Sequence, residues 1–312
     1  MIIPITQSKE WAKLQEDLGE KFIFKSENDY QFLAIIKETP MGNYLYCPYG
    51  PIAEDESSFK KAVNSLKEIA REHDALFIRV EPFDAREAKY LPEKTKKSKD
   101  LNPKETWLLD LTGNEDDLKK KLPSRLLRYY KSAGKNGITI EESHDPKDIH
   151  YLLGLQKALA SKKGISTFSE KYLQTELKQP FATLYLVKYR DTKNPKAEPE
   201  VIAAGLVFDD KTTRYNLQGA QNDIGRKLHA TGILTIQLIL DAHKKGLKTF
   251  DFWGIAPEGA SKSHPWAGFT NFKKTFAGYE QNHAGTYDII MKPVKYKFYQ
   301  LFRSLNRIIR KA

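Results

Sequence analysis

Lys273, set between Phe272 and Phe276, is the side chain whose type and neighbours best suit it to act on developing charge. It lies within a stretch from Thr249 to Asp288. The stretch opens as an apolar–acidic run (Phe250, Asp251, Phe252, Trp253), passes through a Gly/Pro/Ser segment and reaches a second tryptophan, Trp266. Trp253, Trp266, Lys273 and Lys274 fall within 22 positions. Apolar walls lower the local dielectric, so an ammonium between them acts more strongly than one in water. A long loop inside a compact domain is usually functional or disordered, and this density of aromatic residues argues against disorder. The alternative reading is core aromatics beside surface lysines.

Two other groupings are candidates. Arg79-Val80-Glu81-Pro82 ends an otherwise apolar run, and on an alternating strand Arg79 and Glu81 share a face; the alternative is a solvent-facing pair. From Lys119 to Lys135 the chain carries Lys119, Lys120, Lys121, Arg125, Arg128, Lys131 and Lys135 around Tyr129 and Tyr130. That mixture suits phosphate binding, against a solvated helix face as the alternative. Arg128 stands out there, because its spacing from Leu122 and Ala133 ties it to a docked helix. The chain has no G-x-x-x-x-G-K-[ST], no G-x-G-x-x-G after a strand, no H-E-x-x-H and no G-x-S-x-G. One cysteine, Cys47, cannot build a zinc site or an internal disulfide, so no metal is expected and a reducing cytoplasm fits.

These residues need elements to position them. The 312 residues suffice for two domains, and 40% hydrophobic with 29% charged content is that of a globular protein. A net charge of +11 favours a polyanion, either nucleic acid or an anionic membrane face. The N-terminus does not read as a signal peptide, and no apolar run approaches the ~18 residues of a membrane span. Ser8 caps a first helix carrying Trp11, Leu14 and Leu18. Strands are expected at 30–37 and 44–47, a helix through Phe59 to Ala70, a strand at 76–81, an exposed lysine-rich loop at 89–104 and a strand at 106–111. Asn114 opens a helix that Pro123 interrupts, and Ser124 caps the next turn. A strand follows at 138–141, then a helix from Asp145-Pro146 to Gly164 and another at 169–178. Strands at 182–190, 201–208 and 213–220 form an antiparallel meander with a polar linker at 191–199. A buried helix at 231–245, a strand at 250–253 and a last cationic amphipathic helix at 296–311 complete the chain, with Tyr299, Phe302, Leu305 and Ile309 near one face.

Both halves therefore run helix, antiparallel strands, helix, strand. The fold class is α+β, and this order resembles two acetyltransferase-like domains in tandem, with mixed sheets flanked by helices. A coenzyme A site on such a fold wants a Q/R-x-x-G-x-G/A loop before the helix at 231. Here Gly225 and Gly232 are too far apart to wrap a pyrophosphate, so no cofactor is expected.

Short matches recur in order along most of the chain: Thr6-Gln7-Ser8-x-x-Trp11; Tyr49-Gly50-Pro51; Arg79-Val80-Glu81-Pro82; Leu122-Pro123-Ser124 with Arg128, Lys131, Ala133 and Gly137; Gly205; Asp251-Phe252-Trp253-Gly254-Ile255; Gly268-Phe269 with Phe272-Lys273 and Phe276; and Gly285-x-Tyr287-Asp288. Together they resemble the Fem family of peptidoglycan bridge-forming aminoacyltransferases, in its shorter form without the long helical hairpin arm. The resemblance implies a first domain at 1–118 plus 289–312 and a second at 119–288. It implies transfer of an amino acid from aminoacyl-tRNA to the stem peptide of a peptidoglycan precursor, in cell-wall biogenesis. The chain is expected to be a cytoplasmic monomer, with a peripheral contact at the inner face of the membrane for which the cationic last helix is the candidate.

By that resemblance Lys273 serves the reaction centre and the tRNA end, and Glu81 is a candidate proton acceptor. Trp11, Lys13, Arg79, Arg128 and Asp251 are candidate substrate-binding residues. Tyr215, Trp253, Trp266 and Phe272 join them, the first three as platforms for the terminal tRNA base. Two precursor-phosphate contacts of the short members do not match: Gln15 stands where they have lysine, although Lys13 is close, and Phe168 where they have arginine. The acceptor is therefore open between lipid-linked and nucleotide-linked precursors. Two other functions stay open as well, an N-acyltransferase using another acyl donor and a non-catalytic basic adaptor at the membrane surface.

Overall fold

The computed structural model describes residues 2–163, 167–194 and 196–309. Gly164, Arg310 and Lys311 lie outside them. In chain order the first stretch holds α1 (Lys9–Asp17), β1 (Phe22–Ser26), β2 (Tyr30–Lys37), β3 (Tyr44–Cys47), β4 (Ile52–Ala53), α2 (Glu56–Glu72), β5 (Phe77–Val80) and β6 (Thr95–Lys97). The middle holds β7 (Glu105–Asp110), α3 (Glu115–Lys120), α4 (Ser124–Ser132), β8 (Ile138–Ser143), α5 (Ile149–Lys163), α6 (Glu170–Leu177), β9 (Ala182–Tyr189), β10 (Glu200–Asp209), β11 (Thr213–Gln221), α7 (Asp223–Lys227), α8 (Ala230–Lys244), β12 (Thr249–Gly254), α9 (Ala267–Lys273) and β13 (Tyr279–Asn282). The chain ends with β14 (Tyr287–Ile290) and α10 (Pro293–Ile309).

Two compact units result, residues 1–104 with 282–312 and residues 105–281. These limits differ from the expected 118 and 288. Residues 105–110 form β7, which pairs antiparallel with β12 of the second unit, and residues 282–288 lead into β14, which pairs with β5 of the first.

The first unit has the strand order β1-β2-β3-β5-β14-β6, with β4 on β2. Among the described residues of this unit only β3 and β5 run parallel, joined through α2. Helix α2 starts at a capping box, with Asp55 accepting from the Ser58 amide at 2.8 Å. Its Phe59, Ala62, Val63, Leu66 and Ala70 are buried against the sheet. Gln7 is completely buried: its Nε2 donates to the Pro48 carbonyl at 2.6 Å and its Oε1 accepts from the Leu33 amide at 2.7 Å. A Cβ at Gly50 would lie 2.6 Å from that amide group, so the Thr6-Gln7-Ser8 and Tyr49-Gly50-Pro51 motifs meet in packing. The lysine-rich 89–104 segment is not all loop. Residues 95–97 are β6, held by backbone pairing to β14 while Lys96 and Lys97 stay exposed, so no apolar alternation marks it.

The second unit has the order β13-β7-β12-β11-β10-β9-β8. The antiparallel meander of β9, β10 and β11 is as expected, and β11 runs parallel to β12 through α8. Helix α8 is buried on most of its length because Ile233, Leu234, Ile236, Leu238 and Ile239 leave no polar face. Asn114 caps α3 as expected, accepting from the Asp117 amide. Ser124 does not cap α4; Pro123 holds that position without a side-chain bond. The Gly/Pro/Ser stretch contains α9, too short for its periodicity to stand out in sequence.

Candidate active site

Strand β12 does not pair evenly. It follows β11 only through Thr213–Tyr215 opposite Thr249–Asp251, and its register against β7 shifts between Asp251 and Gly254. Within that bulge Trp253 has a φ of 66°, a left-handed conformation that a side chain this large adopts at a cost. The bulge re-aims the strand end. Phe250 and Phe252 enter the core with Phe276, whereas Asp251 lies on the other face beside its strand partners Tyr215 and Leu108.

Asp251 is buried, and one oxygen accepts from the Trp253 amide at 2.6 Å. Burial pushes its carboxyl up from 3.8 to about 7, against the pull of that amide and of Lys273. Lys273, in the last turn of α9, donates from Nζ to the Gly254 carbonyl at 2.6 Å. Burial draws its ammonium down from 10.5 to about 8, while Asp251 opposes the shift. The Ala256 amide donates to Thr270 Oγ1 at 2.7 Å, fixing α9 to the strand end. Phe272 packs edge-on against Phe276 at 5.5 Å. The result is a cation and a carboxyl, both only partly satisfied in their charged forms, held by a strained strand end. Pairs of displaced acidities recur at catalytic sites, which makes this pair the candidate one.

The cluster thus unites Asp251, Trp253, Phe272 and Lys273. Tyr215 joins through strand pairing and an edge contact to Trp253 at 6.3 Å, with its hydroxyl donating to Asp210 at 2.8 Å. Being 7% exposed, Tyr215 has little free face for stacking a base. Trp266, 40% exposed, precedes α9 with its ring near His264. Arg128 is exposed on another helix, α4, near Arg125, which lies over the Tyr129 ring.

Thr106 was not legible as a site residue. It pairs opposite Gly254, is 1% exposed, and its Oγ1 has no partner among the described residues. A lone threonine in a strand signals nothing in sequence. In the second unit Arg214 was also missed. It is fully buried, bonded to Asp209 at 2.6 and 2.7 Å and to Asp241 at 2.8 Å, and ties β11 to α8.

The first unit treats its candidates differently. Arg79, expected as a substrate contact, is turned into the unit's interior. It is 1% exposed and gripped by Asp288 across the β5–β14 pair, with Nε–Oδ1 at 2.7 Å and a second bond of 2.8 Å, between the Tyr44 and Phe77 rings. Glu81, 2% exposed, accepts from Tyr46 and Thr286 hydroxyls (2.8 and 2.6 Å), the Asn102 side chain (2.8 Å) and the Leu101 and Asn102 amides (3.3 and 3.1 Å). Five donors leave no lone pair suited to take a proton, so its geometry is that of an anchor for the 101–102 turn. Lys13 faces solvent on α1 in ion pairs with Glu16 and Asp17. Trp11 packs beside Leu33 and Ile35.

A cavity of about 220 Å³ opens in the second unit between α5, residues 167–168 and β11; among the described residues it is lined by Gln156, Leu159, Phe168, Leu217 and Gln218, among others, and by no charged side chain. Behind it Gln218 joins Gln156 (3.1 Å) to the buried Glu176 (3.0 Å), whose carboxyl burial raises to about 8.

The model of the FemAB family matches residues 4–102 and 174–304. The chain belongs to the FemAB family. Its members are aminoacyltransferases, and this chain is one by that membership. Its fold is similar to that of FemX at 18% identity, covering 95% of this chain and 94% of that one with a TM-score of 0.79. It is also similar to the C-terminal domain of a putative lysylphosphatidylglycerol synthetase from Agrobacterium fabrum (14% identity, 93% and 90% covered, TM-score 0.60) and to L-PGS from Bacillus licheniformis (13%, 98% and 99%, 0.60). Among curated proteins no sequence matched.

Proposed function

We propose that this FemAB-family chain moves an amino acid from aminoacyl-tRNA to the stem-peptide amine of a peptidoglycan precursor. The observation that carries the proposal is Lys273, an ammonium drawn down to about 8 and fixed on the Gly254 carbonyl beside Asp251. The acceptor amine attacks the ester carbonyl, the amide bond forms, the ester C–O bond breaks and the amine's proton ends on the tRNA 3′ oxygen. Lys273 stabilises the oxyanion or the terminal phosphate, a contribution of about 2.7–4 kcal/mol for one such donor. Asp251, poised at about 7, is better matched to proton transfer than Glu81, whose oxygens are already engaged. Trp253 and Trp266 offer ring faces to the tRNA end, and Arg128 offers a phosphate contact.

Coenzyme A is disfavoured as donor. The segment before α8 folds as α7, and the Gly225 amide is already bonded to Asn222 Oδ1 at 2.8 Å. The described lining of the cavity beside Phe168, with Leu159, Leu217 and Phe168, suits a neutral part of the acceptor.

The test is incubation with mixed charged tRNA and with lipid-linked and nucleotide-linked precursors, followed by mass analysis. One precursor gains an amino-acid residue mass. Lys273→Met lowers the rate about 10²–10³-fold while the circular dichroism stays unchanged. No mass gain on either precursor overturns the proposal.

A further inference from the structure

Helix α10 carries two apolar faces, of which the first unit covers one. Tyr296 and Tyr299 point inward: both are buried, their rings meet Phe77 at 5.3 and 4.9 Å, and the Tyr296 hydroxyl donates to Asp288 at 2.9 Å. This differs from the single face expected around Tyr299 and Phe302. On the other side Val294, Phe298 and Leu301 recur at i, i+4 and i+7, and they are 69, 56 and 56% exposed. Three large apolar side chains in one stripe on a helix face are not the scattered surface hydrophobes of ordinary proteins.

The charge around the stripe says what covers it. Lys295 and Lys297 are exposed beside it. From Lys292 to the end, the chain holds seven lysines and arginines and no acidic residue. A second copy of the helix would bring like charges together, which disfavours a homodimer through this face. An apolar stripe bordered by cations is the pattern of a helix lying in a lipid interface, with lysine stems extended so that their ammonium groups meet anionic headgroups. No helix among the described residues is long and apolar enough to cross a membrane, so the arrangement suits lying on the surface.

We infer that α10 docks this chain on an anionic lipid surface, with Val294, Phe298 and Leu301 entering the acyl boundary and Lys295 and Lys297 meeting the headgroups. The inference does not rest on the transferase reading, since vesicle binding requires no substrate.

The full chain is sedimented with phosphatidylglycerol-containing vesicles and with phosphatidylcholine vesicles, at low and high salt. It binds the anionic vesicles, and binds the neutral ones at least about tenfold more weakly. Phe298→Ser with Leu301→Ser weakens binding at least about tenfold, with an unchanged melting temperature because both side chains are largely exposed. Lys295→Ser with Lys297→Ser, a second variant with the apolar stripe intact, weakens binding and flattens its salt dependence. Equal binding to both lipids, no binding by the wild type, or unchanged binding by the Phe298/Leu301 variant overturns the inference. So does size-exclusion evidence that this variant converts a dimer to a monomer, which would assign the stripe to a second copy.

Discussion

Asp251 and Lys273 set the pH behaviour of the proposed reaction. Asp251 must be ionised to accept a proton and Lys273 charged to stabilise an anion, so the rate rises to a narrow maximum between about 7 and about 8. Asp251→Asn removes the acidic limb of the profile and lowers the maximum; a profile with an unchanged acidic limb would assign that limb elsewhere. Stability moves the other way. The folded state binds the Asp251 proton more tightly than the unfolded chain does, so the stability this group contributes is greatest below about 4 and declines as pH rises towards about 7. Glu176, raised to about 8, has the same sign. Lys273 releases its proton earlier when folded, so stability recovers between about 8 and 10.5. Thermal melting from pH 4 to pH 8 should therefore show a smaller decline for Asp251→Asn than for the wild type.

At the scale of elements, two strand ends and one helix crossing decide what the candidate residues can do. The β5–β14 pair places Arg79 against Asp288 inside the first unit. Arg79→Met strands a buried carboxylate and should cost about 3–5 kcal/mol in urea unfolding; a raised KM with unchanged stability would restore it as a substrate ligand. Helix α4, which carries Arg128, crosses α8 where Gly232 faces Leu126. A Cβ there would lie 2.6 Å from Leu126 Cδ2. Gly232→Ala makes the Leu126 side chain turn aside and should gain less stability than Gly154→Ala, which, in α5 with nothing within 4 Å, should stabilise by about 0.4–1 kcal/mol. Equal effects from the two, read in the same unfolding assay, would refute the close crossing. The α9 turn matters in another way: by bonding Thr270 to Ala256 it holds Lys273 over the strand end.

For the whole molecule, the net charge of +11 suits the polyanionic donor proposed above. Affinity for charged tRNA should fall steeply between 50 and 200 mM salt, as about 10³-fold or more for six or more phosphate contacts. Arg128→Ala should reduce the slope of log affinity against log salt by about 0.7–0.9 if it meets one phosphate. An unchanged slope in filter binding would remove Arg128 from the interface. Each unit has the same internal order, a parallel pair closed through a buried helix, with one antiparallel strand supplied from a distant part of the chain.

The sequence by itself determined the α+β plan, the meander, the buried α8 and the place of Lys273, because burial periods and caps are local and repeat within ten or so residues. It also located Asp251, Trp253 and Phe272 as one neighbourhood, since they are close along the chain. Only the tertiary structure decided what long-range pairing decides. It placed Arg79 against Asp288, which is 209 positions away, and surrounded Glu81 with five donors from three segments, Tyr46, Leu101 with Asn102, and Thr286. It set Thr106 opposite Gly254, and it turned one face of α10 inward and left the other bare. Such outcomes depend on which strand lies beside which, and side-chain type alone cannot tell a buried ion pair from a ligand-binding one.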